Sequence, residues 1–156
     1  MLANFKAAGE GEHPLLPDGA YLVTINSWKK IASKGSSNEQ VEWSTEVNAP
    51  AEHMGASLRE YHTLTESALW RLSSFLGQVL QFDVSSLPPI DTDAQEFKNL
   101  LDACVGRKVY MNIFTDTYNG KTKNKTTTKD PYAPAQGNPG FDPASIEDVP
   151  SWVKRP

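Results

Sequence analysis

The dipeptide Asn119-Gly120 constrains this chain more than any other feature, because it stands between two runs of alternating side chains, Val109 to Tyr118 and Lys121 to Lys129. A two-residue type I′ turn needs positive φ at both central positions, and Asn-Gly meets that demand with little strain, so a tight antiparallel hairpin is predicted. The turn also fixes register. Tyr118 faces Lys121, Asp116 faces Lys123, Phe114 faces Lys125, Asn112 faces Thr127 and Tyr110 faces Lys129, all on one side. The other side pairs Thr117 with Thr122, Thr115 with Asn124, Ile113 with Thr126 and Met111 with Thr128, joined by Val109. That second side is mixed to apolar and suits a core.

The chain of 156 residues is acidic, with a formal net charge of -4, a poor starting point for a phosphate partner, which needs a basic footprint. The charge is unevenly spread. Residues 1–106 carry 7 basic and 14 acidic side chains, residues 107–129 carry 6 and 1, and residues 130–156 carry 2 and 4. The basic segment is the hairpin, where Tyr110, Phe114 and Tyr118 share a face with Lys121, Lys123, Lys125 and Lys129. Flat rings offer stacking platforms to unpaired bases, and ammonium groups neutralise phosphates without reading sequence, so this face suits single-stranded nucleic acid. Lysines guarding a solvent-facing sheet edge give the competing explanation.

Upstream, a strand after the Asp18-Gly19 turn alternates Tyr21, Val23 and Ile25 with Leu22, Thr24, Asn26 and Trp28. Trp28 shares a side with Thr24, Asn26 and Lys30, opposite Val23 and Ile25, and leads into Lys29, Lys30 and Lys34 as a second stacking site. Residues 40–47 set Val41, Trp43, Thr45 and Val47 against Gln40, Glu42, Ser44 and Glu46, which sends Trp43 to the core. A third run, Ser57 to Leu64, places Arg59 and Tyr61 on one side, where they extend the groove. Thr65 then reads as the N-cap of a helix carrying Leu69, Leu72, Phe75, Leu76, Val79 and Leu80 at three- and four-residue spacing, with Trp70 as a packing residue. A second helical pattern covers Asp93 to Cys104 and ends near Gly106.

Three strands, a helical segment and two strands is the element order of the OB-fold, a partly open Greek-key barrel that binds oligonucleotides and oligosaccharides. A generic α+β domain shares that order. The expected protein is mainly β: a five-stranded OB-fold barrel with a helical insertion between strands three and four, over residues 17–130. A flexible arm, 1–16, precedes it. Residues 131–156 are Pro-rich and aperiodic, and a disordered tail is expected because such a composition buries little apolar surface against its ordering entropy.

Catalytic patterns are weak. His13, His53 and His62 lack metal-ligand spacing, the carboxylates are scattered, and no GxSxG, Walker or GxGxxG motif occurs. A non-enzyme without cofactor is expected, whereas a small nuclease should show clustered carboxylates. Cys104 is the single cysteine and cannot form an internal disulfide. No apolar run reaches the roughly 18 residues of a membrane span and no signal sequence opens the chain, so a soluble intracellular protein is expected. An oligosaccharide- or protein-binding module on the same fold is the alternative function, since it also uses aromatic platforms but does not need the lysines.

The succession LPDGAYLVTI, VEWSTEV, LTESALWRLSSFLGQVL and VGRKVYMNIFTDTYNGKTKN resembles a family of bacteriophage OB-fold proteins that bind single-stranded DNA. The likeness covers roughly residues 15 to 132. Its most specific pieces are Ala68-Leu69-Trp70-Arg71-Leu72 and the hairpin around Tyr118-Asn119-Gly120-Lys121. The resemblance implies a non-sequence-specific single-stranded DNA-binding protein of phage DNA replication or recombination, acting in the cytoplasm of a bacterial host, with replication or recombination proteins as partners through the C-terminal tail. Single-stranded DNA-binding proteins commonly end in a strongly acidic tip that docks replication partners, whereas this chain ends Ser151-Trp152-Val153-Lys154-Arg155-Pro156.

Overall fold

The computed structural model describes residues 15–32 and 37–148. Two long strands, β1 (Gly19–Ala32) and β2 (Glu39–Ala49), form an antiparallel pair, and β3 (Ser57–Thr63) adds to β2. Helices α1 (Leu69–Leu80) and α2 (Gln95–Asp102) follow, then β4 (Lys108–Tyr118), β5 (Lys121–Thr126) and the short β6 (Tyr132–Pro134). The sheet runs β3-β2-β1-β4-β5, with β6 also on β4. The described residues are thus mainly β, with an open six-stranded antiparallel sheet and two α-helices, and among them no ladder closes the sheet into the expected barrel. No helix among the described residues is long and apolar enough to cross a membrane.

The hairpin forms as the Asn-Gly turn requires. Asn119 and Gly120 take φ of 51° and 74°, and β4 and β5 pair in the expected register from Tyr118↔Lys121 to Ile113↔Thr126. Its core side delivers Val109, Met111 and Ile113, all buried. Leu72, Phe75, Leu76, Val79 and Leu80 of α1 form the opposing apolar stripe. The helix starts later than Thr65 suggests: the Thr65 carbonyl accepts from Ala68 N and Leu69 N, at 3.0 and 2.9 Å, and closes a separate turn first.

Two further expectations fail for identifiable reasons. A β-bulge intervenes between Ile25↔Thr45 and Ser27↔Ser44, so β1 carries one extra residue and its alternation reverses. Trp28 therefore lies opposite Trp43, partly buried against the core, with Nε1 donating to Asp102 Oδ1 at 2.8 Å. It is not on the lysine face. The second failure is the tail. After Thr126 the chain loops out and returns, so that Tyr110 faces Ala133 and Met111 faces Tyr132, displacing the expected partners Lys129 and Thr128. Asn112 holds the loop, donating Nδ2 to the Asp130 carbonyl and its backbone N to that of Pro131.

Residues 131–148, expected to be disordered, are part of the fold. Tyr132, Ala135 and Ile146 are buried, and Phe141 packs on Phe82 with ring centroids 5.2 Å apart. Buried Arg107 donates to the carbonyls of Ala103, Pro139 and Gly140. Asn138 bonds both the backbone N and the carbonyl of Lys108, at 2.9 and 2.8 Å. Such anchors are distant in sequence and leave no local periodicity, which is why composition misjudges the segment. Residues 149–156, the remainder of the expected tail, lie outside the described residues, as do 1–14 of the arm. Leu16 is already core, its backbone clamped by the Asn124 amide at 2.9 and 3.0 Å.

The layers are joined by a chain of buried polar groups. Trp43 Nε1 donates to His62 Nδ1 at 2.8 Å, which leaves the proton on Nε2, and Nε2 meets the Tyr132 hydroxyl at 2.7 Å. Tyr132 and Thr126 both donate to Glu60 Oε2. Burial first, and then the Arg71 charge, pull the His62 pKa down to about 3. Burial and the Glu60 carboxylate push the Tyr132 hydroxyl upward, so it stays a proton donor.

The neutral His62 sets an acid limit on stability. Its unfolded pKa is near 6.5, so its contribution is complete above that pH and is lost as pH falls towards about 3. Over this window the wild type should lose up to about 1.4 kcal/mol per pH unit more than His62→Gln. Chemical denaturation at pH 7, 5 and 4 checks this; parallel pH profiles would refute it. Deleting residues 131–156 should lower stability by at least about 3 kcal/mol, since a buried aromatic side chain goes with the segment, as measured by the thermal midpoint.

Candidate nucleic-acid interface

Because no ladder joins β3 to β5, the two edge strands leave a groove of about 900 Å³ between them. Its walls take Arg59 and Tyr61 from β3, Phe114 and Asp116 from β4, Lys123 and Lys125 from β5, and Glu42 from β2. The turn and the alternation explain these placements: Arg59 and Tyr61 point away from buried Leu58, Glu60 and His62, and Phe114 lies opposite Lys125 on the outer side of the hairpin. At the floor, Glu60 accepts from Thr126 and from the Tyr61 backbone N at 3.1 Å. Arg71, from the first turn of α1, donates to the carbonyls of Thr126 and Thr127 at 3.0 and 3.1 Å. Glu60 and Arg71 thus hold the strand edges where a ladder is missing.

Charge in the groove is nearly balanced. Arg59, Arg71, Lys123 and Lys125 line it together with Glu42, Glu60 and Asp116. Arg59 is paired with the mostly buried Glu42, and Lys125 Nζ lies 2.8 Å from Asp116 Oδ2. Partial burial, then the Glu42 charge, raise the Tyr61 pKa against the opposing effect of Arg59, so the hydroxyl remains protonated.

Of the expected site residues, Arg59, Tyr61, Phe114, Lys123 and Lys125 are brought together here. Tyr118 and Lys121 pair at the hairpin tip beyond the groove, with Tyr118 73% exposed. Tyr110 is exposed on the same outer side of β4, opposite Leu22 and Ala133. Lys129 is exposed but sits in the loop between β5 and β6. Lys30 is engaged elsewhere: it donates to the Thr92 carbonyl and pairs with Asp93 at 3.1 Å and Glu39 at 3.8 Å. Trp28 is directed to the core, as described above, and Lys34 lies outside the described residues. The sequence reading misses Arg71 and the three carboxylates. Asp116, already fixed in register opposite Lys123, and Glu42, on the side of its strand away from Val41 and Trp43, carried signals that could have found them.

A second cavity, about 660 Å³, is lined by Leu87, Pro88, Pro89 and Ile90 with Asp91, Glu96, Asp142, Glu147 and Asp148. Its rim is acidic and unsuited to phosphate. Cys104, just after α2, is buried, and burial pushes its thiol up to about 12, which leaves it a packing residue. No protein-family model matches the chain, and no curated protein matches it.

The register makes neighbouring hairpin residues behave oppositely. Ile113→Ala should cost about 2–5 kcal/mol of stability by opening a core cavity, and Phe114→Ala less than half as much. Denaturant titration of both variants checks the assignment; a reversed order would place the hairpin one residue out of register.

Proposed function

We propose that this protein binds single-stranded DNA with little sequence preference, along the groove between β3 and β5 and out over the hairpin tip. The carrying observation is that Tyr61 and Phe114 line one groove with Arg59, Lys123 and Lys125, while Tyr118 and Lys121 extend the same outer side. Exposed rings along a groove can stack unpaired bases, and neighbouring cations can hold the backbone. The fold is read as an OB-fold whose seam between strands three and five carries side-chain bonds in place of a ladder. The pairing order β3-β2-β1-β4-β5, with helices between β3 and β4, supports that reading. A role in phage DNA replication or recombination is proposed from the family resemblance alone. The reaction class is binding, without catalysis or cofactor.

One observation favours a second reading. Glu42 and Asp116 reach the groove alongside the rings, and carboxylates with aromatic platforms also suit sugar hydroxyls. An oligosaccharide ligand would bind with little dependence on salt. For single-stranded DNA, neutralising two to four phosphates should give a slope of log K against log salt of about -1.4 to -3.

Oligo-dT should therefore bind far more tightly than a matched duplex, with that slope, in a tryptophan-fluorescence titration at several salt concentrations. Phe114→Ala should weaken it by about 1–3 kcal/mol. Equal affinity for duplex and single strand would remove stacking from the account, and a flat salt response would turn it towards the sugar reading.

A further inference from the structure

Two of the four cations lining the groove already hold carboxylates of the chain itself. Lys125 Nζ is 2.8 Å from Asp116 Oδ2, with the side chains 43% and 35% exposed. The pair is not needed for register, because Asp116 lies opposite Lys123 and the Asn-Gly turn sets that pairing. Nor does burial demand it, since water reaches both groups. A carboxylate oxygen and a phosphate oxygen are the same kind of acceptor for an ammonium group. Asp116 therefore occupies the donor that a backbone phosphate would use.

Resting on the single-strand reading, we infer that Asp116 is a specificity-determining residue, a built-in competitor for phosphate at Lys125. Lys125 lies opposite Phe114, so a strand that displaces Asp116 also gains the ring. An anion without bases meets the same competitor and gains nothing in return. A lysine that arrives with its own carboxylate neutralises no net phosphate charge, so it releases no counterion and adds nothing to the salt slope.

Oligo-dT affinity, measured between 50 and 300 mM salt for the wild type, Asp116→Asn, the double variant Asp116→Asn/Lys125→Gln and Lys121→Gln, tests this, with thermal midpoints confirming folding. Asp116→Asn should bind about threefold or more tightly at the lowest salt, with a slope steeper by about 0.7, the value for one phosphate on a single strand. The double variant, which removes the ion pair whole, should return to nearly the wild-type slope, whereas Lys121→Gln, at a tip lysine that makes no ion pair among the described residues, should flatten it by about 0.7. Unchanged or weaker binding by Asp116→Asn, or a double variant whose slope flattens as much as that of Lys121→Gln, would overturn the role of Asp116 while leaving the single-strand reading in place. A wild type that does not bind oligo-dT would overturn both.

Discussion

The Glu60 carboxylate is where the sheet, the helix and the C-terminal segment meet. It sits on β3 facing inward and accepts from Thr126 of β5 and Tyr132 of β6, while Tyr132 in turn meets His62 and, through it, Trp43 of β2. Each link has a defined direction: the indole can only donate, which makes Nδ1 the acceptor and leaves Nε2 to carry the proton. In a buried setting such a chain is either complete or costly, because a lost partner leaves a polar group without water. Among the described residues no buried side-chain nitrogen or oxygen is left without a partner. Phe75 of α1 packs against Trp43, His62 and Tyr132, with ring centroids 4.8 to 5.0 Å away, so the helix seals the network it rests on.

The same network bridges the two edges of the open sheet on either side of the groove. A hydrogen-bonded ladder between β3 and β5 would bring their backbones within about 5 Å and close the space. A side-chain bridge through Glu60 and Thr126, braced by Arg71 on the β5 carbonyls, keeps the edges near each other without merging them. The Tyr61 backbone also donates to Glu60, so a groove-lining aromatic shares its anchor with the core.

What could be read from the sequence follows from how local the determining physics is. The Asn119-Gly120 turn sets φ and register within a few residues, and every pair from Tyr118 to Ile113 forms as expected. Trp43, flanked by Val41 and Val47, goes to the core for the same reason. Trp28 was illegible because the bulge after Ile25 arises where β1 leaves β4, its pairing ending at Thr24↔Lys108, and continues on β2 alone. No pattern inside β1 announces that change of partner. The C-terminal segment was misjudged likewise: Tyr132 and Ile146 are single apolar residues in a Pro-rich stretch, and their worth depends on a cleft made by residues far away in sequence.

The groove residues divide along the same line. Phe114, Lys123 and Lys125 follow from the hairpin turn, and Arg59 and Tyr61 from alternation in a strand whose inward residues are buried. Arg71 does not, because a lone arginine in the first turn of an amphipathic helix looks like a solvated residue until β5 is laid across it. The carboxylates carry the deeper point. Counting lysines along the hairpin suggests an uninterrupted basic stripe, yet Asp116 and Glu42 return much of that charge to the groove. In a nearly neutral groove, electrostatics alone attracts polyanions weakly, so any tight ligand must draw on the rings. For the single-strand binding proposed above, that condition would favour strands whose bases are free to stack over a duplex, whose bases are already paired.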